Sequence, residues 1–264
     1  MRHRGHRSLT PNRGHQHLHA RRTSQGEKRK RCNIPIRKNS LRSGGRIMTQ
    51  EPDFISDEEI MTIPIEDNGE QLVNLRDYNK DIIIDIEEES KSAQKLPEDT
   101  CFVRENVAVM ISKAQSLLPP NTKLKIIDGF RPMEAQKKIY AQVFEEIKTR
   151  NQNFSDKEVE KETDKIVANP KIVPFHTTGG AVDLTLADAS GNELDLGIPV
   201  NSISDKSFTD ASDLSKEARK NRDLLIKTMK DAGFVNYPLE FWHWSHGDRY
   251  WAAEHKTTSI YRGL

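Results

Sequence analysis

A sharp change in composition near residue 47 decides where this chain can build a core. Residues 1–47 hold fourteen of its 41 Lys and Arg, a single acid (Glu27) and almost no bulky apolar side chains. Such a segment cannot bury enough surface to offset the entropy of ordering it, so a disordered basic tail is expected there. The whole chain is almost balanced, with 41 basic and 40 acidic residues. Residues 48–264 are therefore acidic, and they are where a folded domain is expected. Five of the nine histidines, His3, His6, His15, His17 and His19, fall in the tail. Basic patches of this kind are weakly specific, and nucleic acid is not the expected partner. Met48 opens a stretch, MTQEPDFISDEEI, whose composition suits a protein start, and Gly44-Gly45 upstream can be encoded by a purine-rich ribosome-binding sequence. On that reading the tail is upstream sequence outside the native protein.

Cys32 and Cys101 form no CxxC pair and no disulfide framework. No run approaches the roughly 18 apolar residues of a membrane span. The N-terminus carries the charge of a signal peptide without the apolar segment that would follow it. A cytoplasmic protein is the expectation.

From residue 104 onward the apolar pattern is organised. Val107, Ile111, Ala114 and Leu118 recur at helical spacing and predict a helix over about 104–118, ended by Pro119-Pro120. KLKII reads as a short strand running into the turn Asp128-Gly129-Phe130-Arg131-Pro132. Ile139, Val143 and Ile147 mark one face of a further helix. Ser155 and Glu158 suggest a capping box for another, ending near Asn169-Pro170. Ala181–Leu186 reads as a strand. Ala218, Leu225 and Met229 mark a helix that stops at Gly233, and two short strands follow around 234–237 and 240–245. In residues 48–100, where short apolar runs such as Ile82-Ile83-Ile84 occur, one or two edge strands are expected. Strands and helices alternate irregularly, without a dinucleotide-binding glycine fingerprint or an internal repeat. The expected fold is α+β: one domain with a small, mainly antiparallel sheet flanked by helices.

Three segments carry candidate chemistry. In HTTGGAVDLTL, starting at His176, glycines 179 and 180 allow a tight turn and Asp183 sits in an apolar strand. An acid there is costly unless it is paired or bound to a cation; capping a turn is the plainer alternative. In Glu240-Phe241-Trp242-His243-Trp244, two of the three tryptophans bracket a histidine. That fits a metal ligand with an apolar wall, or equally a histidine in an aromatic core strand. Arg131, between a turn and a proline, could present a fixed charge to an oxyanion or make a surface salt bridge with Asp128. His246, at His-x-x-His spacing from His243, is a competing metal ligand; it and His255 are otherwise read as surface or supporting residues.

Together these segments resemble the zinc D-alanyl-D-alanine dipeptidases of the vancomycin-resistance type, which are related to zinc D,D-carboxypeptidases and Hedgehog-like domains. That family shows Ser-x-His-x-x-Gly-x-Ala-x-Asp, matched at His176, Gly179, Ala181 and Asp183. Its Glu-x-Trp-His followed by an aromatic is matched at Glu240, Trp242, His243 and Trp244, and its aromatic-Arg-Pro at Phe130, Arg131 and Pro132. GDRYWA at 247–252 is also similar to family sequence.

The resemblance implies a zinc peptidase with one Zn2+ per chain, held by His176, Asp183 and His243. It implies that Glu240 is the general base toward water and that Arg131 stabilises the oxyanion. The implied substrate is D-Ala-D-Ala or a related cell-wall peptide. Two positions depart from the pattern. Pro174 replaces a serine, and Asn201 stands where an acid would bind a dipeptide's amino group. A carboxypeptidase or endopeptidase on peptidoglycan peptides, or a non-catalytic Hedgehog-like zinc module, are the alternative readings. Glu240 and Arg131 favour an enzyme, because a binding module needs neither.

Overall fold

The structure, a computed structural model, describes residues 54–202 and 204–264. The expectations about the basic tail and a start at Met48 fall outside them. The described residues begin with α1 (Asp57–Thr62), β1 (Leu72–Asn74), β2 (Ile83–Ile84), α2 (Glu88–Gln94) and β3 (Phe102–Arg104). Next come α3 (Glu105–Leu117), β4 (Thr122–Asp128), α4 (Met133–Arg150), α5 (Asp156–Thr163) and β5 (Ala181–Asp188). The chain closes with α6 (Lys216–Ala232), β6 (Val235–Asn236), β7 (His243–Ser245) and α7 (Arg249–His255). The fold is α+β, as expected. One five-stranded sheet runs in the order β2-β4-β5-β7-β6, parallel only at β2–β4, and β1–β3 form a separate antiparallel ladder.

The sequence-based boundaries hold best where local signals are strong. Helix α3 ends before Pro119, and α6 ends at Gly233, which adopts φ 109°. The Ser155–Glu158 capping box forms, but α5 stops at Thr163, short of Asn169-Pro170. There Asp164 takes hydrogen bonds from Tyr140 Oη at 2.6 Å and Asn169 Nδ2 at 3.1 Å, and the chain turns instead of continuing the helix. The short strands expected in residues 48–100 are present as β1 and β2, with β2 at an edge of the main sheet. Helices α1 and α2 also form there, α1 behind a Ser56–Glu59 capping box. Ser-x-x-Glu was a legible start signal for α1.

The core lies on one face of the sheet. Val182, Leu184 and Leu186 of β5, Leu124 and Ile126 of β4, and Trp242 and Trp244 pack there with Val107, Ile111, Leu225 and Met229 of α3 and α6. Full burial of each such aliphatic side chain contributes about 1.5–3 kcal/mol. The buried face of α6 contains one charged residue, the fully buried Arg222. Its guanidinium lies 4.0 Å over the Phe241 ring and donates to the carbonyls of Lys206 at 3.0 Å and Phe208 at 2.7 Å. Arg222 thereby anchors the long β5–α6 connection to the helix.

Side chains alternate along β5, so Asp183 faces away from Val182 and Leu184, toward the opposite side of the sheet. A bulge between Ile126 and Asp128 matters as much. Ile126 opposes Leu184 on the core face, and regular pairing would set Asp128 against Val182, on that same apolar face. The register shift sets Asp128 against Asp183 instead. One extra residue thus moves a carboxylate to the polar side of the sheet.

Candidate metal centre

On that polar face three neighbouring strands align Asp128, Asp183 and His243 in one row. Asp183 is the cross-strand partner of both others. His176 reaches the row from a short 3-10 turn, Phe175–Thr178, started by Pro174 and closed by Gly179 at φ 74°. A Cβ at Gly179 would lie 2.5 Å from Leu72 Cδ2, so the left-handed turn and the close packing both need glycine.

His176, Asp183 and His243 are all buried. Each offers one ligand atom, and these atoms lie within 4.8 Å of one another. Asp183 Oδ2 is 3.3 Å from His176 Nε2, and Asp183 Oδ1 is 2.9 Å from His243 Nδ1. Tetrahedral zinc with ligand bonds near 2.0–2.2 Å places its donors about 3.4 Å apart, so the spacing and the donor set both fit zinc. Among the described residues this is the one His, Cys, Asp or Glu cluster of that geometry.

Each imidazole is held from behind. His176 Nδ1 donates to the Gly129 carbonyl at 2.8 Å, leaving Nε2 toward Asp183. In return Arg131 N–H donates to the His176 carbonyl at 3.1 Å, fastening the two motif segments together. His243 turns its other nitrogen, Nε2, toward Ser245 Oγ at 3.4 Å. Burial alone would lower the His176 imidazole, but the adjoining Asp183 carboxylate outweighs it and raises the pKa to about 9. Burial likewise opposes ionisation of Asp183, yet the two histidines hold it well below the usual carboxylate range. The free cluster is therefore a carboxylate paired to the His176 imidazolium, and a metal entering it displaces the Nε2 proton.

Glu240 sits in the turn before β7, its backbone N–H on the Tyr237 carbonyl at 3.0 Å and its carbonyl taking the His243 N–H at 3.1 Å. It is outside the three-residue cluster. Burial raises its carboxyl pKa, with the His243 imidazole opposing and the Asp183 carboxylate adding to the rise. Phe175, Tyr237 and Tyr250 wall this side, with the Phe175 and Tyr237 ring centroids 5.7 and 5.9 Å from the His243 ring.

Arg131 does pair with Asp128, but Asp128 is buried and Arg131 half-buried beside the cluster, so this is not a surface bridge. Arg131 Nε donates to Asp128 Oδ2 at 3.1 Å, Nη2 adds a second contact to the same oxygen, and Nη1 donates to Gln136 Oε1 at 2.9 Å. Gln136 Nε2 is in turn fixed on the Ala168 carbonyl at 2.7 Å. Ser90 Oγ and the Gly129 N–H, at 2.9 and 2.8 Å, complete the shell of Asp128.

His246 lies outside the cluster. It packs against Trp251, Tyr261 and Phe234, with Nε2 3.1 Å from Asn106 Nδ2. His255 is exposed and stacked on Trp251. Asn201 adopts φ 61°, a left-handed conformation that asparagine and aspartate both tolerate, so the backbone does not account for the departure at this position. Ser90, Gln136 and Ser245 were not singled out from the sequence. Only Ser245 carried a signal, as a neighbour of the WHW segment. No helix among the described residues is long and apolar enough to cross a membrane.

A buried two-histidine, one-carboxylate cluster on the polar face of a small α+β sheet defines a candidate metal-binding domain. The chain belongs to the D-ala-D-ala dipeptidase family, whose pattern matches residues 86–260. A D-alanyl-D-alanine dipeptidase of Synechocystis sp. is 28% identical over 160 residues, covering 52% of this chain and 65% of that protein. One from Escherichia coli is 27% identical over 144 residues, covering 54% and 65%. The chain thus spans about 65% of the length of these relatives. A solved structure, VanYB in complex with D-Alanine-D-Alanine, aligns with TM-score 0.37 and 13% identity over 61% of this chain and 82% of that one.

Proposed function

We propose that this chain is a zinc-dependent peptidase that hydrolyses D-Ala-D-Ala or a closely related cell-wall dipeptide in the cytoplasm. The observation that carries the reading is the convergence of His176 Nε2, the Asp183 carboxylate and His243 Nδ1, with Glu240 and Arg131 beside them but outside the cluster. His176, Asp183 and His243 would hold one zinc ion. Zinc bound by three protein groups keeps a position for water, lowers that water's pKa toward about 7 and polarises a carbonyl.

The remaining roles belong to the protein. The Glu240 carboxylate takes a proton from the attacking water and returns it to the leaving amine. Burial raises its proton affinity, which suits a group that accepts a proton from water. Arg131, oriented by Asp128 and Gln136, directs its charge at the oxygen that becomes negative in the tetrahedral state. Phe175, Tyr237 and Tyr250 exclude water on one side, which strengthens both effects.

Family membership favours the dipeptide, and both relatives are called dipeptidases. Assay of the zinc-loaded chain against D-Ala-D-Ala, L-Ala-L-Ala and peptidoglycan stem peptides tests the proposal. Hydrolysis of D-Ala-D-Ala, abolished by a chelator and restored by zinc, is expected. Cleavage of stem peptides alone would reassign the substrate. Stoichiometric zinc without hydrolysis of any peptide would favour a binding module.

A further inference from the structure

Glu240 and His243 stand at the two ends of a single turn. His243 N–H donates to the Glu240 carbonyl at 3.1 Å, closing a β-turn through Phe241 and Trp242. Where the Glu240 carboxylate lies relative to the metal ligand therefore depends on how firmly this turn is held. One bond of its own closes it, and a second group spans the same two ends. Asn236 Nδ2 donates to the Glu240 carbonyl at 3.1 Å and to the His243 carbonyl at 2.9 Å.

The amide has one workable orientation. Backbone carbonyls only accept, so the Asn236 nitrogen must face them, with both its hydrogens committed. The Asn236 oxygen then faces Thr209, whose hydroxyl donates to it. Thr209 is buried, and its loop holds the same region at two further points. Thr209 N–H donates to the Pro238 carbonyl at 2.9 Å, and Phe241 N–H donates to the Ser207 carbonyl at 3.0 Å. This is the loop that Arg222 anchors through the carbonyls of Lys206 and Phe208. Asn236 pairs with Trp244 across β6 and β7, so its side chain stands on the core side of the sheet, away from the metal cluster.

We propose that Asn236, oriented by Thr209, is a positioning residue for the reaction: its amide clamps the turn and so fixes the Glu240 carboxylate relative to His243. It touches neither substrate nor metal. An unclamped turn lets Glu240 move while His243 stays. His243 is held independently by its cross-strand partner Asp183 and by the Tyr237 N–H on its carbonyl at 3.1 Å. Loss of the clamp therefore reaches proton transfer before it reaches the metal. The inference rests on the reading of Glu240 as the base.

The test uses the full-length, zinc-loaded chain with D-Ala-D-Ala, as wild type, Asn236→Ala, Thr209→Val and Thr209→Ser. Asn236→Ala is expected to lower kcat about 10–100-fold, the cost of a misplaced catalytic group, with KM and zinc affinity close to wild type. Thr209→Val keeps the side-chain shape without the hydroxyl and should lower kcat in the same direction. Thr209→Ser, which retains the hydroxyl, should not. Hydrogen exchange at the His243 amide, normalised to the β4–β5 ladder, reads the loosened turn independently of activity; it should quicken in Asn236→Ala and Thr209→Val. In a Glu240→Gln background Asn236→Ala should cost nothing further, because it acts through Glu240. A merely structural role would lower the melting temperature and leave kcat per folded molecule unchanged, and that result would overturn the clamp. So would a His243 amide equally protected in every variant, or full additivity with Glu240→Gln. Should Asn236→Ala fail to fold, the Thr209 pair decides. Near-wild-type turnover in Glu240→Gln, or no turnover in the wild type, would overturn the reading of Glu240 and this inference with it. Turnover lost in Glu240→Gln but kept in Asn236→Ala would overturn the clamp alone.

Discussion

Replacing Arg131 by alanine tests the site's electrostatics more severely than its role toward an oxyanion suggests. Its partner Asp128 is only 1% exposed. The substitution removes the charge-assisted contacts from Nε and Nη2 and leaves a carboxylate in the interior without its counter-charge. Removing one member of a buried ion pair costs about 3–5 kcal/mol. Asp128 keeps two other donors, Ser90 Oγ and the Gly129 N–H, which places the expected loss near the lower end, at about 3 kcal/mol. At about 2–4 °C per kcal/mol for a domain of this size, Tm should fall by about 6–12 °C. Adding Asp128→Asn removes the stranded charge, and the double variant should recover about 1–2 kcal/mol. Urea unfolding at unchanged m-value measures both steps. An Arg131→Ala chain within about 0.5 kcal/mol of wild type, the range of ordinary surface substitutions, would refute the reasoning. So would a double variant no more stable than the single.

Three further outcomes are expected. Glu240→Gln should keep one zinc per chain and an unchanged fold while turnover falls about 10²–10⁴-fold; near-wild-type turnover with zinc fully loaded would eliminate Glu240 as the base. Gly129→Ala should lose about 1–3 kcal/mol by overpacking, because the new Cβ would lie 2.5 Å from Cys101 Sγ and 2.9 Å from the Phe102 carbonyl. It should also weaken zinc binding, by displacing the carbonyl that holds His176, and thermal melting with chelator competition reads both effects. A chain starting at Met48 retains every described element and every proposed site residue, so its melting temperature and turnover should match those of the full chain.

The sequence by itself determined much of this protein, because its strongest signals act over one helical turn or one strand. The 3.6-residue stripe of α3 and its stop at Pro119, the stop of α6 at Gly233, and the Ser155–Glu158 cap are all local. The three motif segments were legible together through the family resemblance, while each alone left a structural alternative open. What the tertiary structure decided is how those segments meet. The choice of Asp183 over His246 as the companion of His176 and His243 follows from β5–β7 register, which pairs positions sixty residues apart. Whether Asp128–Arg131 is a surface bridge or a pair holding a buried carboxylate turns on one bulged residue in β4, which sends Asp128 to the polar face of the sheet. The buried Arg222 within the α6 stripe has the same origin, because the carbonyls it serves lie on a loop that only the folded chain brings to the helix. Periodicity reports which face of an element is buried; the polar partners waiting on that face come from distant sequence, and cross-strand pairing and loop packing select them.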